Sequence, residues 1–216
     1  MPGYTVTITT IRIGDRDYRI RALSDKQQFA DEDGEAERAG ISSATWPIFG
    51  VLWPAGAVLA EAMSNFPVDG LRVLEIGCGL GLSSLVLQTR GADITASDHH
   101  PLAGQFLAAN AILNGLPPIA FQLAQWAGPN PGLGRFDLII GSDVLYERDH
   151  VELLSGFLAE HTLPHARIII SDPGRGHGNA MSRALAAQGY LCSQERRRFE
   201  AGETAPFRGR LLSYHR

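Results

Sequence analysis

Glu75-Ile76-Gly77-Cys78-Gly79-Leu80-Gly81 sets an acid two residues ahead of three alternating glycines. The motif lies between a short apolar run, 71–76, and a helix-like run, 82–89. Glycine permits backbone angles and close approaches that a Cβ would block. A strand that ends in such a turn and feeds a helix is a common cradle for a nucleotide-like ligand. The turn could also be free of ligand. A dinucleotide fingerprint, G-x-G-x-x-G, counted from Gly77 and Gly79, needs its third glycine where Leu82 stands. A P-loop is excluded, because no Gly-Lys-Ser/Thr follows.

A third reading is S-adenosylmethionine (SAM). It has no pyrophosphate to cradle, so the backbone at Gly77, Gly79 and Gly81 need only pass beneath its amino-acid part, with Glu75 facing the same crevice. Asp98 closes the next predicted strand about 20 residues on, where an acid accepts both ribose hydroxyls. Its rival role is a helix N-cap ahead of Pro101. His99 and His100 follow; adjacent side chains face apart and no third ligand stands nearby, so no metal is expected. Trp126, after the third predicted strand, is placed to meet the adenine with its indole, or else plugs the core.

An acid followed by G-x-G-x-G resembles the first motif of the class I, seven-strand SAM-dependent methyltransferases. The resemblance covers the chain from about Trp46 onward. It implies SAM as cofactor and His99, next to the ribose acid, as a further contact near the adenine. Gly141-Ser142-Asp143-Val144-Leu145-Tyr146-Glu147 follows the fourth strand of that unit. Its D-x-x-Y pattern, in place of an Asn/Asp-Pro-Pro-Tyr stretch, is similar to that of the family 16 protein lysine methyltransferases. Trp46, Trp53-Pro54 and the stretch Asp172-Pro173-Gly174-Arg175 resemble the branch holding the electron-transfer-flavoprotein β-subunit lysine methyltransferases and their bacterial relatives. Asp172-Pro173 read alone could be a simple turn. The N-terminal 45 residues have no counterpart placed in that branch.

The resemblance implies a protein lysine as methyl acceptor, with Asp143 and Tyr146 as the catalytic pair. A lysine amine, with a pKa near 10.4, must lose its proton before it attacks, and a neighbouring positive charge or burial favours that loss. Asp143 would hold the amine by a hydrogen bond, and Tyr146 would steer it by ring face or hydroxyl. Their structural rivals are a turn cap at Asp143 and a core filler at Tyr146. Ser142 and Trp53 join the cofactor-contact set; Trp46 and Trp53 would wall the pocket or else pack in the core. A small-molecule N-methyltransferase and a SAM-binding scaffold without turnover are the alternative functions.

These residues need elements to carry them. Apolar runs at 71–76, 92–97, 119–123, 136–141 and 166–171 read as strands; 82–89, 101–113, 149–160 and 180–188 read as helices between them. Alternation of this kind predicts parallel strands with helices on both faces. The fold expected is therefore α/β, a Rossmann-like seven-stranded sheet, closed by two strands within 190–215 that meet at Gly202-Glu203 and finish it antiparallel. Residues 4–23 alternate apolar and polar around Gly14-Asp15 and predict an N-terminal β-hairpin. The chain divides into that hairpin and an acidic connection, 1–45, and one methyltransferase unit, 46–216. Pro54 suits the first turn of a helix.

A net charge of −4 excludes a global attraction to nucleic acid or to an anionic membrane. No run nears the roughly 20 apolar residues of a membrane span. No basic start followed by an apolar block marks a signal peptide, and two cysteines show no disulfide framework, so a reducing cytoplasm is expected. Arg196, Arg197, Arg198, Arg208 and Arg210 make the C-terminal hairpin basic, as a charged sheet edge or as a docking patch for an acidic protein. The residues leave the oligomeric state open.

Overall fold

The computed structural model describes residues 3–199 and 207–216. Strands β1 (Val6–Ile13) and β2 (Arg16–Leu23) form the expected hairpin, turning at Gly14 with φ +58°. A short helix α1 (Glu35–Arg38), a 3-10 turn (Trp46–Gly50) and α2 (Pro54–Asn65) lead into the main sheet. Pro54 opens α2, where its missing N–H costs no hydrogen bond.

The main unit runs β3 (Arg72–Ile76), α3 (Leu82–Thr89), β4 (Asp93–Asp98), α4 (Ala103–Leu113), β5 (Ala120–Leu123) and β6 (Phe136–Ser142). It continues with α5 (His150–His161), β7 (Thr162–Asp172), α6 (Gly178–Ala187), β8 (Leu191–Phe199) and β9 (Phe207–His215). The seven strands lie in the order β5-β4-β3-β6-β7-β9-β8. β9 alone runs antiparallel to its neighbours β7 and β8. The seven-stranded Rossmann-like sheet is therefore as expected. β7 starts four residues earlier than the 166–171 run, because Thr162 pairs with Phe136 across an irregular register before Arg167 resumes the ladder with Leu138. The turn at Gly202-Glu203 lies outside the described residues.

Both faces of the sheet are buried, which explains why its central strands read as continuous apolar runs. Val73, Leu138, Ile140 and Ile169 pack on one face with α2, α3 and the hairpin. Leu74, Ile76, Ile139, Ile168 and Ile170 pack on the other with α5 and α6. The period-2 alternation of strand side chains sorts them. Asn110 of α4 and Asn114, at the C-cap of that helix, clasp the hairpin. Asn110 Oδ1 accepts from the Arg21 N–H at 2.7 Å and Asn114 Oδ1 from the Arg19 N–H at 2.9 Å, occupying the outer edge of β2. No helix among the described residues is long and apolar enough to cross a membrane.

Candidate active site

Strand order reverses at β3: the chain steps to β4 and β5 on one side and returns to β6 on the other. Crevices open at such a switch point, beyond the carboxyl ends of the strands. Here the loops after β3, β4, β5 and β6 meet around a cavity of about 280 Å³. A second cavity of about 410 Å³ adjoins it, sharing Thr45, Gly77, Asp98, His99, Trp126 and Tyr146. All of the residues assigned above to cofactor contact or to catalysis line the first cavity.

Gly77, Gly79 and Gly81 have φ of +56°, +51° and +76°, a left-handed region that L side chains rarely adopt. What lies close to them is protein. A Cβ on Gly79 would stand 2.8 Å from the Phe49 carbonyl oxygen, and one on Gly81 would collide with the Leu107 side chain. The glycines are thus required by backbone conformation and by packing under the crevice. Glu75, 3% exposed, accepts hydrogen bonds from the N–H and the hydroxyl of Ser84 in the first turn of α3. Burial pushes its carboxyl up to about 7, against the pull of those bonds.

Asp98 does not cap α4. That helix starts at Ala103 with no side-chain cap, whereas Asp98 Oδ2 accepts from the Gly79 N–H at 2.8 Å and Oδ1 from the His100 N–H at 2.9 Å. One buried carboxylate therefore ties the β4 loop to the glycine loop. The two histidines part as expected. His99 is half-exposed with Nδ1 3.5 Å from Asp98. His100 is buried and stacked on Phe49, ring centroids 3.7 Å apart. Burial pushes His100 down to about 3, so it is neutral; its Nδ1 accepts from the Leu102 N–H and its Nε2 has no partner among the described residues.

The two tryptophans ahead of the sheet also part. Trp46 is 1% exposed among Tyr4, Phe29, Phe49 and His100, so it is core and not pocket wall. Trp53 lines the cavity, its indole held by an Nε1–H donated to the Ile48 carbonyl at 2.9 Å. Trp126 is half-buried, edge-on to His150 at 5.2 Å. Ser142, the last residue of β6, faces α2 at Gly56.

Asp143 is the one non-glycine residue with positive φ, +53°, among the described residues. Its N–H donates to the Ser171 carbonyl at 2.8 Å, which fixes this turn to the end of β7. Its side chain caps no turn. Both oxygens accept from Arg175, Nε to Oδ1 and Nη2 to Oδ2, each at 2.6 Å. Arg175 has no counterpart among the residues assigned above; its only signal was the Asp172-Pro173-Gly174-Arg175 stretch. Tyr146 is half-buried, not core, and stands edge-on to His150 with centroids 4.4 Å apart. Burial pushes its hydroxyl up to about 12, so it is a neutral hydrogen-bonding group. His150 was not anticipated either; it supports both Tyr146 and Trp126.

A sequence profile described as lysine methyltransferase matches residues 42–180, which run from ahead of the 3-10 turn into α6. The chain belongs to this lysine methyltransferase family. It is 34% identical over 143 residues to the electron transfer flavoprotein beta subunit lysine methyltransferase of Mus musculus, covering 64% of this chain and 55% of that one. It is 36% identical over 140 residues to the protein N-lysine methyltransferase METTL21A of Danio rerio, covering 59% and 63%. The chain spans about half the length of the flavoprotein-directed relatives it matches. In fold it is similar to a ribosomal protein L11 methylase from Lactobacillus delbrueckii subsp. bulgaricus, with a TM-score of 0.57 at 22% identity over 74% of this chain and 77% of that one.

SAM is the cofactor of this class. The lysine methyltransferase crevice fits it on its own donor set. SAM carries a sulfonium and an ammonium, and the wall supplies Glu75, Asp98 and Asp143 with apolar Phe49, Leu80 and Val144 between them. The unpartnered buried Nε2 of His100 adds a donor at the same wall.

Proposed function

We propose that this protein is a SAM-dependent N-methyltransferase that modifies a lysine side chain of a protein acceptor. The observation that carries the reading is the meeting of Asp143 and Tyr146, at the end of β6, with the glycine loop and Asp98 around one crevice. SAM supplies an electrophilic methyl carbon attached to a sulfonium. Asp98 would accept from the ribose hydroxyls with the lone pairs that Gly79 and His100 leave, since an ionised carboxylate offers about four acceptor sites. Trp126 and His99 would flank the adenine, and Glu75 the amino-acid end. Trp53 and Ser142 border the same space.

On the acceptor side, Asp143 would accept a hydrogen bond from the incoming amine while Arg175 holds the carboxylate in place. The Tyr146 ring and hydroxyl would narrow the approach to a single line, and alignment of that kind supplies most of what an in-line displacement needs. The amine must arrive neutral. The Arg175 guanidinium beside Asp143 disfavours a second cation there, so it helps the lysine lose its proton. Free thiols at Cys78 and Cys192 support a cytoplasmic setting.

The test is incubation with methyl-labelled SAM and a lysate of the source cell, followed by hydrolysis of labelled protein. Label recovered as methyl-lysine is the expected result. Label confined to the small-molecule fraction would replace the acceptor by a small amine, and SAM binding without any transfer would leave a scaffold.

A further inference from the structure

The C-terminal hairpin holds an arrangement that costs energy. In the β8–β9 ladder Arg196 lies directly opposite Arg210, and Arg198 directly opposite Arg208. Directly paired residues share a face, and so do residues two apart, so all four arginines project from one face. Like charges in register oppose pairing. Arg197 points the other way and meets Glu195 on that opposite face at 2.9 Å. On the arginine face, the acid among the described residues is Asp172, which Arg210 reaches at 3.2 Å while its other nitrogen donates to Gln194 at 2.9 Å. Arg196, Arg198 and Arg208 are exposed.

Edge protection does not account for this. β8 is the edge strand, and charge on it blunts unwanted pairing. β9 lies between β7 and β8 from Arg210 to His215, but at Arg208 it pairs with β8 alone; an edge there needs charge, not like charges set directly opposite one another. Position gives the better account. Arg210 pairs with Asp172, the last residue of β7. Positions 207–209 and 197–199 therefore extend past the carboxyl edge of the sheet, on the side where the crevice opens. The loop after β7 joins the two places, running from Asp172 at Arg210 to Arg175 at Asp143.

We propose that this arginine face docks an acidic stretch of the methyl-acceptor protein beside the crevice, so that a neighbouring lysine reaches Asp143. The identity of the partner as acceptor rests on the lysine-methyltransferase reading; the docking itself does not. A protein acid is favoured over nucleic acid because a peptide can set its acids at the arginines and a lysine at the acidic crevice, beside Asp143 and Glu147, whereas a phosphate backbone carries negative charge along its whole length past those carboxylates.

The test uses a fluorescent random copolymer of glutamate and lysine as probe, with binding read by anisotropy in the full chain. Binding should weaken with added salt. The triple variant Arg196→Gln, Arg198→Gln, Arg208→Gln should weaken it about tenfold or more, a loss of about 1.4 kcal/mol. SAM affinity should be unchanged, and the melting temperature should hold or rise, since the variant removes like charges in register. Arg198→Gln alone should move binding in the same direction, and Arg197→Gln, on the opposite face, should not. Equal binding by wild type and triple variant overturns the proposal, as does equal binding of polylysine. Tighter binding of a single-stranded oligonucleotide at the same arginines also overturns it. Copolymer binding that depends on the arginines without methylation of its lysines keeps the docking face and removes the lysine reading. Methylation that is indifferent to the arginines does the reverse.

Discussion

Arg175 clamps Asp143 through two parallel bonds of 2.6 Å, from a loop that returns after β7 to a turn that follows β6. Gly174 and Gly176, at φ +91° and +99°, flank the arginine in conformations that residues with side chains rarely adopt. The guanidinium is 45% exposed and the carboxylate 13%. An unpaired carboxylate at this place would stabilise the ammonium form of an incoming lysine. With Arg175 present that preference is reduced, and the amine is more readily neutral.

Arg175→Gln should therefore shift the pH–rate profile of methyl transfer to higher pH. Removing the cation raises the pKa of the bound amine, and the neutral amine is the nucleophile. The rate should fall at neutral pH and recover in alkaline buffer, with SAM affinity unchanged. A uniform loss at every pH would make Arg175 a simple brace for Asp143.

Asp143→Asn tests the acceptor site without disturbing the turn, because asparagine tolerates the left-handed conformation that φ +53° requires. SAM affinity should stay within about threefold, under roughly 1 kcal/mol. Transfer should fall on the order of a hundredfold, the cost of misplacing a nucleophile by about 1 Å. Tyr146→Phe then separates ring from hydroxyl: retained turnover assigns the ring face. Stably folded Asp143→Asn with full turnover removes Asp143 from the chemistry.

Asp98→Ala should lower both melting temperature and SAM affinity. It deletes the acceptor for two backbone N–H groups, Gly79 and His100, and leaving them unpaired costs about 1–3 kcal/mol. Calorimetry with SAM and a thermal melt on the same preparation read the two effects. Loss of stability with SAM affinity intact would confine Asp98 to bracing the loop.

Gly79→Ala should destabilise the fold itself by about 1–3 kcal/mol, through strained backbone and the Phe49 carbonyl 2.8 Å from the new Cβ. Gly79→Val should be worse, so it is not a clean probe of ligand binding. Gly81→Ala meets only the end of the flexible Leu107 side chain besides its positive φ, and should cost less. Denaturant melts rank the three.

Glu75 gives a pH signature. Its carboxyl is raised from 4.5 to about 7, so between those values the folded state holds a proton that the unfolded state has released. Stability from this group is full below about 4.5, declines as pH rises, and is lost above about 7. Glu75→Gln keeps an acceptor for Ser84 and should flatten that decline. A wild-type and variant difference that does not change across this window would show that Glu75 titrates normally.

The residues alone determined the frame. Apolar runs of strand length alternating with helical ones dictate a parallel sheet, and glycines at 77, 79 and 81 dictate a left-handed turn between β3 and α3, because backbone conformation and burial period are local properties. The acids at the strand ends could be placed for the same reason. Tertiary structure decided everything that depends on partners far apart in the chain. Trp46 and Trp53 are equivalent in sequence, yet packing against Tyr4, Phe29 and His100 buries one, while the other borders the crevice. The Phe49 carbonyl that excludes a side chain at Gly79 approaches from 30 residues upstream. The partner of Asp143 lies 32 residues away and meets it only because β6 and β7 are neighbours in register, Ser142 beside Ser171. Two aspartates with similar local sequence signals thus end with different roles: the sheet brings Asp98 to backbone N–H groups and Asp143 to a guanidinium.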